Sequence, residues 1–201
     1  MLTILLAEDQ HVVRGALVAL LELESDLTVV TAVGSGDQVL PAALEHRPDV
    51  AVLDIDMPVM DGLAAATALR ERLPECRVLL LTGNGRPGHL RQALAAGVGG
   101  FLLKTAPPEE LIDAIHAVAA GRRVLDPKLA VTAWDLADNP LTPRDTDVLR
   151  LVAEGTDAPE IAAQLHLTAG TVRNYLTAIV AKLNARNRTD AVRIASEAGW
   201  I

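Results

Sequence analysis

The sequence contains little cysteine, few aromatic residues and no long apolar run. Cys76 is the only cysteine and cannot form a disulfide within the chain, so we expect the reducing environment of the cytoplasm. No stretch approaches the ~20 consecutive apolar residues that cross a bilayer, which argues against membrane insertion. The first apolar run, Leu2–Ala7, meets Glu8 and Asp9 directly and is shorter than the core of a secretory signal.

The chain also lacks the overall positive charge of many nucleic-acid-binding proteins. Its 26 acidic and 18 basic residues give a net charge of −8, but residues 140–201 hold seven of each. The remaining 19 acids and 11 bases all lie in residues 1–139. Between Arg173 and Arg193, five bases accompany one acid. This division indicates an acidic domain followed by a smaller one with a basic segment that suits phosphate.

Half of the residues are hydrophobic, which is enough to form packed cores and excludes a disordered chain. In residues 1–120, short apolar runs alternate with stretches of helical length. This alternation predicts an α/β domain with a flavodoxin-like, doubly wound parallel sheet of five strands. The predicted strands are Leu2–Ala7, Leu27–Val33, Val50–Leu53, Arg77–Thr82 and Gly99–Leu103.

Residues 121–139 begin with Gly121-Arg-Arg123, contain Asp126-Pro127 and end in Asp138-Asn139 before Pro140, and we expect them to form a linker. Residues 140–201 contain no strand pattern and predict a small all-α domain of four helices. Thr142 before Pro143 and Thr168 before Ala169 are typical of helix starts. The predicted helices are Pro143–Glu154, Ala158–Leu165, Ala169–Leu183 and Arg188–Glu197.

Polar side chains follow four of the predicted strands. In open parallel sheets, ligands bind beyond the carboxyl ends of the strands, so we expect these side chains in one pocket. Several carboxylates at one place repel each other unless a cation lies among them, and Mg²⁺ (or Mn²⁺) suits such a set. Asp54 is then the candidate nucleophile toward a phosphoryl group. The residues are Glu8 and Asp9 after the first strand, Asp54 after the third, Thr82 ending the fourth and Lys104 after the fifth.

Four motifs in this region resemble the receiver domain of bacterial two-component response regulators. They are Leu6-Ala-Glu-Asp9, Val52-Leu-Asp-Ile-Asp-Met-Pro-Val-Met-Asp-Gly62, Leu80-Leu-Thr-Gly83 and Gly100-Phe-Leu-Leu-Lys104. Their order and spacing make the resemblance specific over residues 1–120. Thr105 departs from the family pattern, in which proline often follows the lysine.

The resemblance implies a role for each matching residue. Glu8 and Asp9 match the acidic pair that binds the metal, Asp54 the phosphoacceptor, and Asp56 the residue whose backbone carbonyl ligates the metal. Thr82 and Lys104 match the family's hydroxyl and lysine that sense the phosphate, and Phe101 matches the aromatic switch position. For Phe101, ordinary core packing is an almost equal alternative.

The second domain contains a helix pair with the spacing of a helix-turn-helix motif, Ala158–Leu165 and Ala169–Leu183. In such motifs the second helix enters the major groove of DNA. Arg173, Asn174 and Thr177 fall on its free face, and arginine and asparagine suit bidentate reading of guanine and adenine. We expect the remaining basic residues of this segment to contact phosphates; they are Lys182, Arg186 and Arg188.

The second domain resembles the LuxR-type DNA-binding domain. The matching segments include Leu141-Thr-Pro-Arg-Asp145, Thr171-Val-Arg-Asn-Tyr-Leu176 and Lys182-Leu-Asn-Ala-Arg-Asn-Arg-Thr189. Together with the receiver, this indicates the NarL/FixJ class of response regulators. The class implies phosphorylation by a sensor histidine kinase, a homodimer on activation and binding to double-stranded promoter DNA. Asp157, Pro159 and Tyr175 depart from the commoner residues of the family.

Two alternatives stay open at this point. The Asp54-Ile-Asp56-Met segment resembles the start of haloacid-dehalogenase-type phosphatases, which would make the chain a hydrolase. Its position on the third strand and the following proline disfavour that interpretation. The second alternative is a regulator that is never phosphorylated and responds to a ligand or to another protein. The intact acidic set argues against this second alternative. The preferred interpretation is a phosphorylated regulator that is not an enzyme, apart from its own phosphoryl transfer and dephosphorylation.

Overall fold

The computed structural model describes residues 1–83, 87–126 and 139–201. The chain divides into two compact units. The first contains residues 1–83 and 90–126 of the described chain, and the second contains residues 139–201, with which residues 87–89 are grouped. Most of the predicted linker, residues 127–138, lies outside the described residues.

The first unit is a parallel sheet flanked by helices. Its strands follow the order β2-β1-β3-β4-β5-β6, and all pairs are parallel. The strands are β1 Leu2–Ala7, β2 Leu27–Val33, β3 Val50–Asp54, β4 Arg77–Thr82, β5 Gly100–Leu103 and β6 Val124–Leu125. The helices are α1 His11–Leu21, α2 Val39–His46, α3 Gly62–Arg72, α4 Pro87–Ala95 and α5 Pro108–Ala119.

The sheet is covered on both faces because side chains alternate along each strand. In β3, Ala51 and Leu53 pack with residues of α2, α3 and α4 in one core. Val50 and Val52 pack on the other face with residues of α1 and α5. All five residues of β3 are buried, as expected for a central strand of a doubly wound sheet. The predicted α/β fold class is therefore confirmed.

The sheet has six strands where the sequence predicted five. β6 lies in the segment expected to be linker, and its Val124 and Leu125 pair with Gly100 and Phe101 of β5. A strand of two residues shows no alternation of apolar and polar positions, so its sequence carries no strand signal. β6 forms because β5 would otherwise be an edge strand with unpaired backbone groups, and Val124 and Leu125 pair with that edge.

The second unit contains four helices: α6 Pro143–Ala153, α7 Ala158–Gln164, α8 Ala169–Lys182 and α9 Arg188–Glu197. The Thr142 and Thr168 side chains accept hydrogen bonds from backbone N–H groups of the first turns of α6 and α8, which confirms both predicted helix starts. The core of this unit includes Val148, Ile161 and Ile179. No helix among the described residues is long and apolar enough to span a membrane.

Candidate functional site

Three carboxylates meet at the carboxyl edge of the sheet. Glu8 and Asp9 follow β1, and Asp54 ends β3, the strand beside β1. One oxygen from each lies within 4.8 Å of the other two. The side chains of Glu8 and Asp54 are only 1% and 2% exposed. The parallel pairing of β1 and β3 therefore brings together acids that are 45 residues apart in the chain.

Lys104 completes this pocket from the end of β5. Its Nζ lies 2.7 Å from Glu8 Oε2 and 3.0 Å from Asp54 Oδ2. Burial acts to lower the pKa of Lys104, but the bonds to Glu8 and Asp54 outweigh it and raise the pKa above its ordinary value. For Glu8, burial and the charge of Asp54 raise the pKa in spite of Lys104. The pocket thus holds a charged lysine between crowded carboxylates.

The pocket offers free oxygen ligands for a cation. Among the described residues, Asp9 Oδ1 and Asp54 Oδ1 are buried without a hydrogen-bond partner. Buried carboxylate oxygens without partners are costly, and a hard divalent cation would supply the missing interaction. One lysine cannot neutralise three acids. The donor set of Glu8, Asp9 and Asp54 therefore fits a bound divalent metal.

The structure also locates the other predicted site residues of this unit. Thr82 is buried at the end of β4, and its carbonyl accepts a hydrogen bond from the backbone N–H of Lys104 at 2.8 Å. Asp56 has an exposed side chain, and its predicted metal contact through the backbone carbonyl stays a prediction. Phe101 is 2% exposed in the core on the side of α2, α3 and α4. Its packing is compatible with both interpretations of Phe101.

Arg14 is a contributor that the sequence analysis missed. Its guanidinium donates hydrogen bonds to the backbone carbonyls of Glu8 and Asp9, and it contacts His11 Nδ1. Arg14 therefore holds the turn that carries the acidic pair. The only sequence signal is that a helix follows the two acids and carries a basic residue near its start. This signal does not distinguish an arginine that makes such a contact from an exposed one.

In the second unit, α8 presents a polar exposed face. Arg173, Asn174 and Thr177 are exposed, whereas Val172 and Ile179 are buried in the core. Thr177 Oγ1 donates a hydrogen bond to the Arg173 carbonyl, a contact within the helix. The guanidinium of Arg173 therefore stays available at the surface. The structure thus places these three residues together on one face, as expected.

The basic residues assigned to phosphate contacts differ in their surroundings. Lys182 Nζ binds Asp145, which is 2% exposed, and Arg186 Nε lies 3.2 Å from Asp190 Oδ2. Arg188 is exposed at the start of α9. Phosphate contacts by Lys182 and Arg186 stay a prediction. In the structure Lys182 links α8 to α6, whereas Arg186 pairs locally with Asp190 in the first turn of α9. Sequence reasoning missed the Lys182 pair because Asp145 is 37 residues before Lys182.

These ion pairs shift the pKa values of both aspartates downward. Burial acts to raise the pKa of Asp145, but hydrogen bonds from Lys182 and Thr142 outweigh it. Hydrogen bonds from Arg186, and then from Arg193, hold the pKa of Asp190 well below its ordinary value. A lowered pKa in the folded state adds stability above the unfolded pKa, near 4, and this stability is lost as the pH falls through the folded pKa.

Replacing Lys182 with methionine tests the pair with Asp145. The change leaves a buried carboxylate without its cation, and we expect the second unit to lose about 2 kcal/mol of stability at neutral pH. Hydrogen exchange of the α6 and α8 amides should then be roughly 30-fold faster. Arg150→Met, at an exposed position of α6, serves as the control. Equal exchange rates in both variants would show that the ion pair contributes nothing.

Comparison with known proteins finds two family matches. Residues 4–116 match the response regulator receiver domain, and residues 139–195 match the luxR family of bacterial regulatory proteins. The transcriptional regulatory protein DesR of Bacillus subtilis is 42% identical over 200 residues, covering 100% of this chain and 99% of DesR. The response regulator RamR of Streptomyces coelicolor is 43% identical, covering 100% of this chain and 98% of RamR.

A solved structure of similar extent is that of the response regulator ChrA from a heme-sensing two-component system. It is 32% identical, with a TM-score of 0.60, and the match covers 100% of this chain and 98% of ChrA. The similarity therefore extends over both compact units and is not confined to the sheet.

Proposed function

Because the chain belongs to the response regulators that join a receiver domain to a LuxR-type DNA-binding domain, we propose that Asp54 accepts a phosphoryl group from a sensor histidine kinase. The chain is a DNA-binding transcriptional regulator, and the phosphoryl group would control its binding to promoter DNA. One observation carries the proposal: Asp54 lies buried between two further carboxylates and Lys104 at a single edge of the sheet. We propose a receiver in residues 1–120, a linker in 121–139 whose Val124 and Leu125 add β6 to the receiver sheet, a DNA-binding domain in 140–201 and a location in the cytoplasm.

The residues of the pocket divide the chemistry among them. A carboxylate oxygen of Asp54 attacks phosphorus, the bond from phosphorus to the kinase histidine breaks, and an acyl phosphate forms. Lys104, now paired with Glu8 and Asp54, would bind a phosphoryl oxygen, and Thr82 would donate a hydrogen bond to another. Glu8, Asp9 and Asp54, with the Asp56 carbonyl, would hold Mg²⁺ or Mn²⁺. A bound divalent ion offsets negative charge on the transferring oxygens.

Phosphorylation would change the charge balance of a buried pocket. The added charge is about −1.5 to −2, estimated from phosphorylated side chains. Lys104 would be drawn from Glu8 toward the phosphate, and Thr82 would move with it because the two residues are joined through their backbones. We propose that this change favours a homodimer. A complete shift from the inactive to the active state requires roughly 5.5 kcal/mol of differential stabilisation by the phosphoryl group. If phosphorylation supplies less than this, part of the protein would already be dimeric without phosphate.

For the second unit, we propose that α8 enters the major groove of DNA. Arg173, Asn174 and Thr177 would face base edges, and Arg188 would contact a phosphate. In a dimer, two such helices would reach half-sites ~34–36 Å apart. Lys182 and Arg186 are already paired with Asp145 and Asp190, so a DNA phosphate would have to share these cations with the carboxylates or displace the carboxylates from them.

The proposed function is tested by selecting bound DNA from a random pool, with the full chain either phosphorylated or untreated. We expect enrichment of one sequence repeated at a spacing of about one DNA turn, and stronger enrichment after phosphorylation. Equal enrichment in both samples would contradict control by phosphorylation. Steady hydrolysis of p-nitrophenyl phosphate by the chain would instead support the phosphatase alternative.

Arg14 gives a separate test of the metal site. Arg14→Met removes the hydrogen bonds to the Glu8 and Asp9 carbonyls, and we expect about tenfold weaker Mg²⁺ binding because the acidic turn loses its support. Calorimetric titration of Mg²⁺ measures the effect. Arg47→Met is the matched control, since Arg47 is exposed and pairs with Glu75 instead. Unchanged Mg²⁺ affinity in Arg14→Met would remove Arg14 from the site.

A further inference from the structure

We infer that the first unit has a second anion site, at the edge of the sheet opposite Asp54, which binds a small phosphate-class anion such as diphosphate. The site is a cavity of about 270 Å³. Four of its lining residues are arginines: Arg70, Arg77, Arg122 and Arg123. Arg77 begins β4, whereas Thr82 at the phosphorylation pocket ends it, so the two sites lie at opposite ends of the same strand.

The arginines reach the cavity from three separate parts of the fold. Arg70 lies in the last turn of α3, and its Nη1 donates a hydrogen bond to the Ala96 carbonyl at 2.8 Å. Arg77 starts β4, and Arg122 and Arg123 connect α5 to β6. The pairing of β6 with β5, absent from the sequence-based expectation, therefore brings the last two arginines to this edge.

Three of these arginines have no described acidic partner. Among the described residues, the guanidinium groups of Arg77, Arg122 and Arg123 form no ion pair, although acids outnumber bases in this part of the chain. Of the acids near the cavity, Glu75 is paired with Arg47 at 3.1 Å. Asp49 accepts hydrogen bonds from the uncharged N–H and hydroxyl of Thr3 and keeps its negative charge, but the three unpaired arginines outnumber it. An anion in the cavity would relieve the repulsion among like charges.

Small residues line part of the cavity. Gly97, with φ of 64°, lines it, and a Cβ there would lie 3.2 Å from Arg70 Nη1. Gly99 and Gly121 also line it, but the N–H groups of all three glycines already donate to backbone carbonyls, so the arginine side chains would supply the contacts to the anion. Cys76 adds no negative charge, because burial raises the pKa of its thiol to about 12. Arginine forks bind phosphate oxygens in pairs, and a diphosphate offers more oxygens to several arginines than a single carboxylate does.

The size of the cavity limits the ligand. Pockets for drug-sized ligands begin at about 300 Å³, so a whole nucleotide would not be enclosed. Inorganic diphosphate would fit, as would the diphosphate end of a larger molecule whose remainder stays in solvent. Both sources share the same chemistry, and titration with each distinguishes them.

The test is calorimetric titration of the full chain with sodium diphosphate, and separately with adenosine diphosphate, in buffer containing EDTA to exclude metal. We expect saturable one-to-one binding of diphosphate, weakened at least tenfold in the double variant Arg77→Gln/Arg122→Gln. Arg72→Gln removes an exposed arginine outside the cavity and should bind normally. Equal affinity for the nucleotide would identify its diphosphate end as an accepted ligand, and weaker affinity would favour the inorganic anion.

Two further measurements keep the inference open to refutation. Asp54→Asn should bind diphosphate as the unchanged chain does, because the site does not depend on phosphorylation. Amide NMR signals of Gly97 and Gly99 should shift on addition of diphosphate, more than those of Glu8 and Asp9. Absence of binding, equal binding of sulfate, or unchanged affinity in a folded double variant would overturn the site.

Discussion

Replacing Asp54 with asparagine is expected to abolish phosphorylation of the chain by acetyl phosphate. The amide lacks the anionic oxygen that attacks phosphorus, and it also removes one of three charges from the candidate metal set. The unchanged chain should gain the mass of one phosphoryl group in the presence of Mg²⁺. Intact mass spectrometry measures the gain directly, and we expect none in Asp54→Asn.

A matched control is available at Asp61, seven residues after Asp54. Asp61→Asn changes an exposed aspartate that caps α3 by accepting the Ala64 N–H at 2.7 Å, so it removes the same charge without touching the pocket. This variant should still be phosphorylated. A mass gain that persists in Asp54→Asn would move the phosphoacceptor elsewhere. Loss of the gain in both variants would point to damage to the loop between β3 and α3 and not to the nucleophile.

The acidic pocket was predictable because its geometry follows from topology. Once β1, β3 and β4 are parallel, their carboxyl ends meet at one edge, and the residues that follow them must be neighbours. Glu8, Asp54 and Thr82 illustrate this rule, since each stands at the end of an apolar run in the sequence. The same periodicity predicted all four helices of the second unit, whose ends differ from expectation by no more than one residue.

The contacts that sequence reasoning missed all depend on three-dimensional neighbours. β6 is paired through the open edge of β5 and has no pattern of its own. Arg14 contacts backbone carbonyls, which every residue possesses, so no sequence motif marks its partners. Lys182 binds a carboxylate in another helix. Its basic character suggested a phosphate contact, but charge alone does not reveal whether a partner lies inside or outside the protein.

This distinction makes Arg173 the better choice for a test of DNA reading. Arg173 is exposed on α8, and its described contact is the backbone carbonyl that accepts the Thr177 hydroxyl. Arg173→Ala keeps that carbonyl and removes the side chain beyond Cβ, including the guanidinium. Loss of a bidentate contact to a base costs about 1–3 kcal/mol, so we expect operator affinity to fall about 5- to 150-fold. Gel-shift titration with the selected operator measures the change.

The pattern of the loss separates base reading from general attraction to DNA. If Arg173 reads a base, the alanine variant should discriminate less at one position of each half-site, and its affinity for unrelated DNA should change little. Arg150→Ala removes one exposed positive charge from α6 of the same unit and should leave the base preference unchanged. If both substitutions weakened binding equally, on operator DNA and on unrelated DNA, Arg173 would act through its charge alone. Asn174 and Thr177 would then be the remaining residues of α8 that could read the sequence.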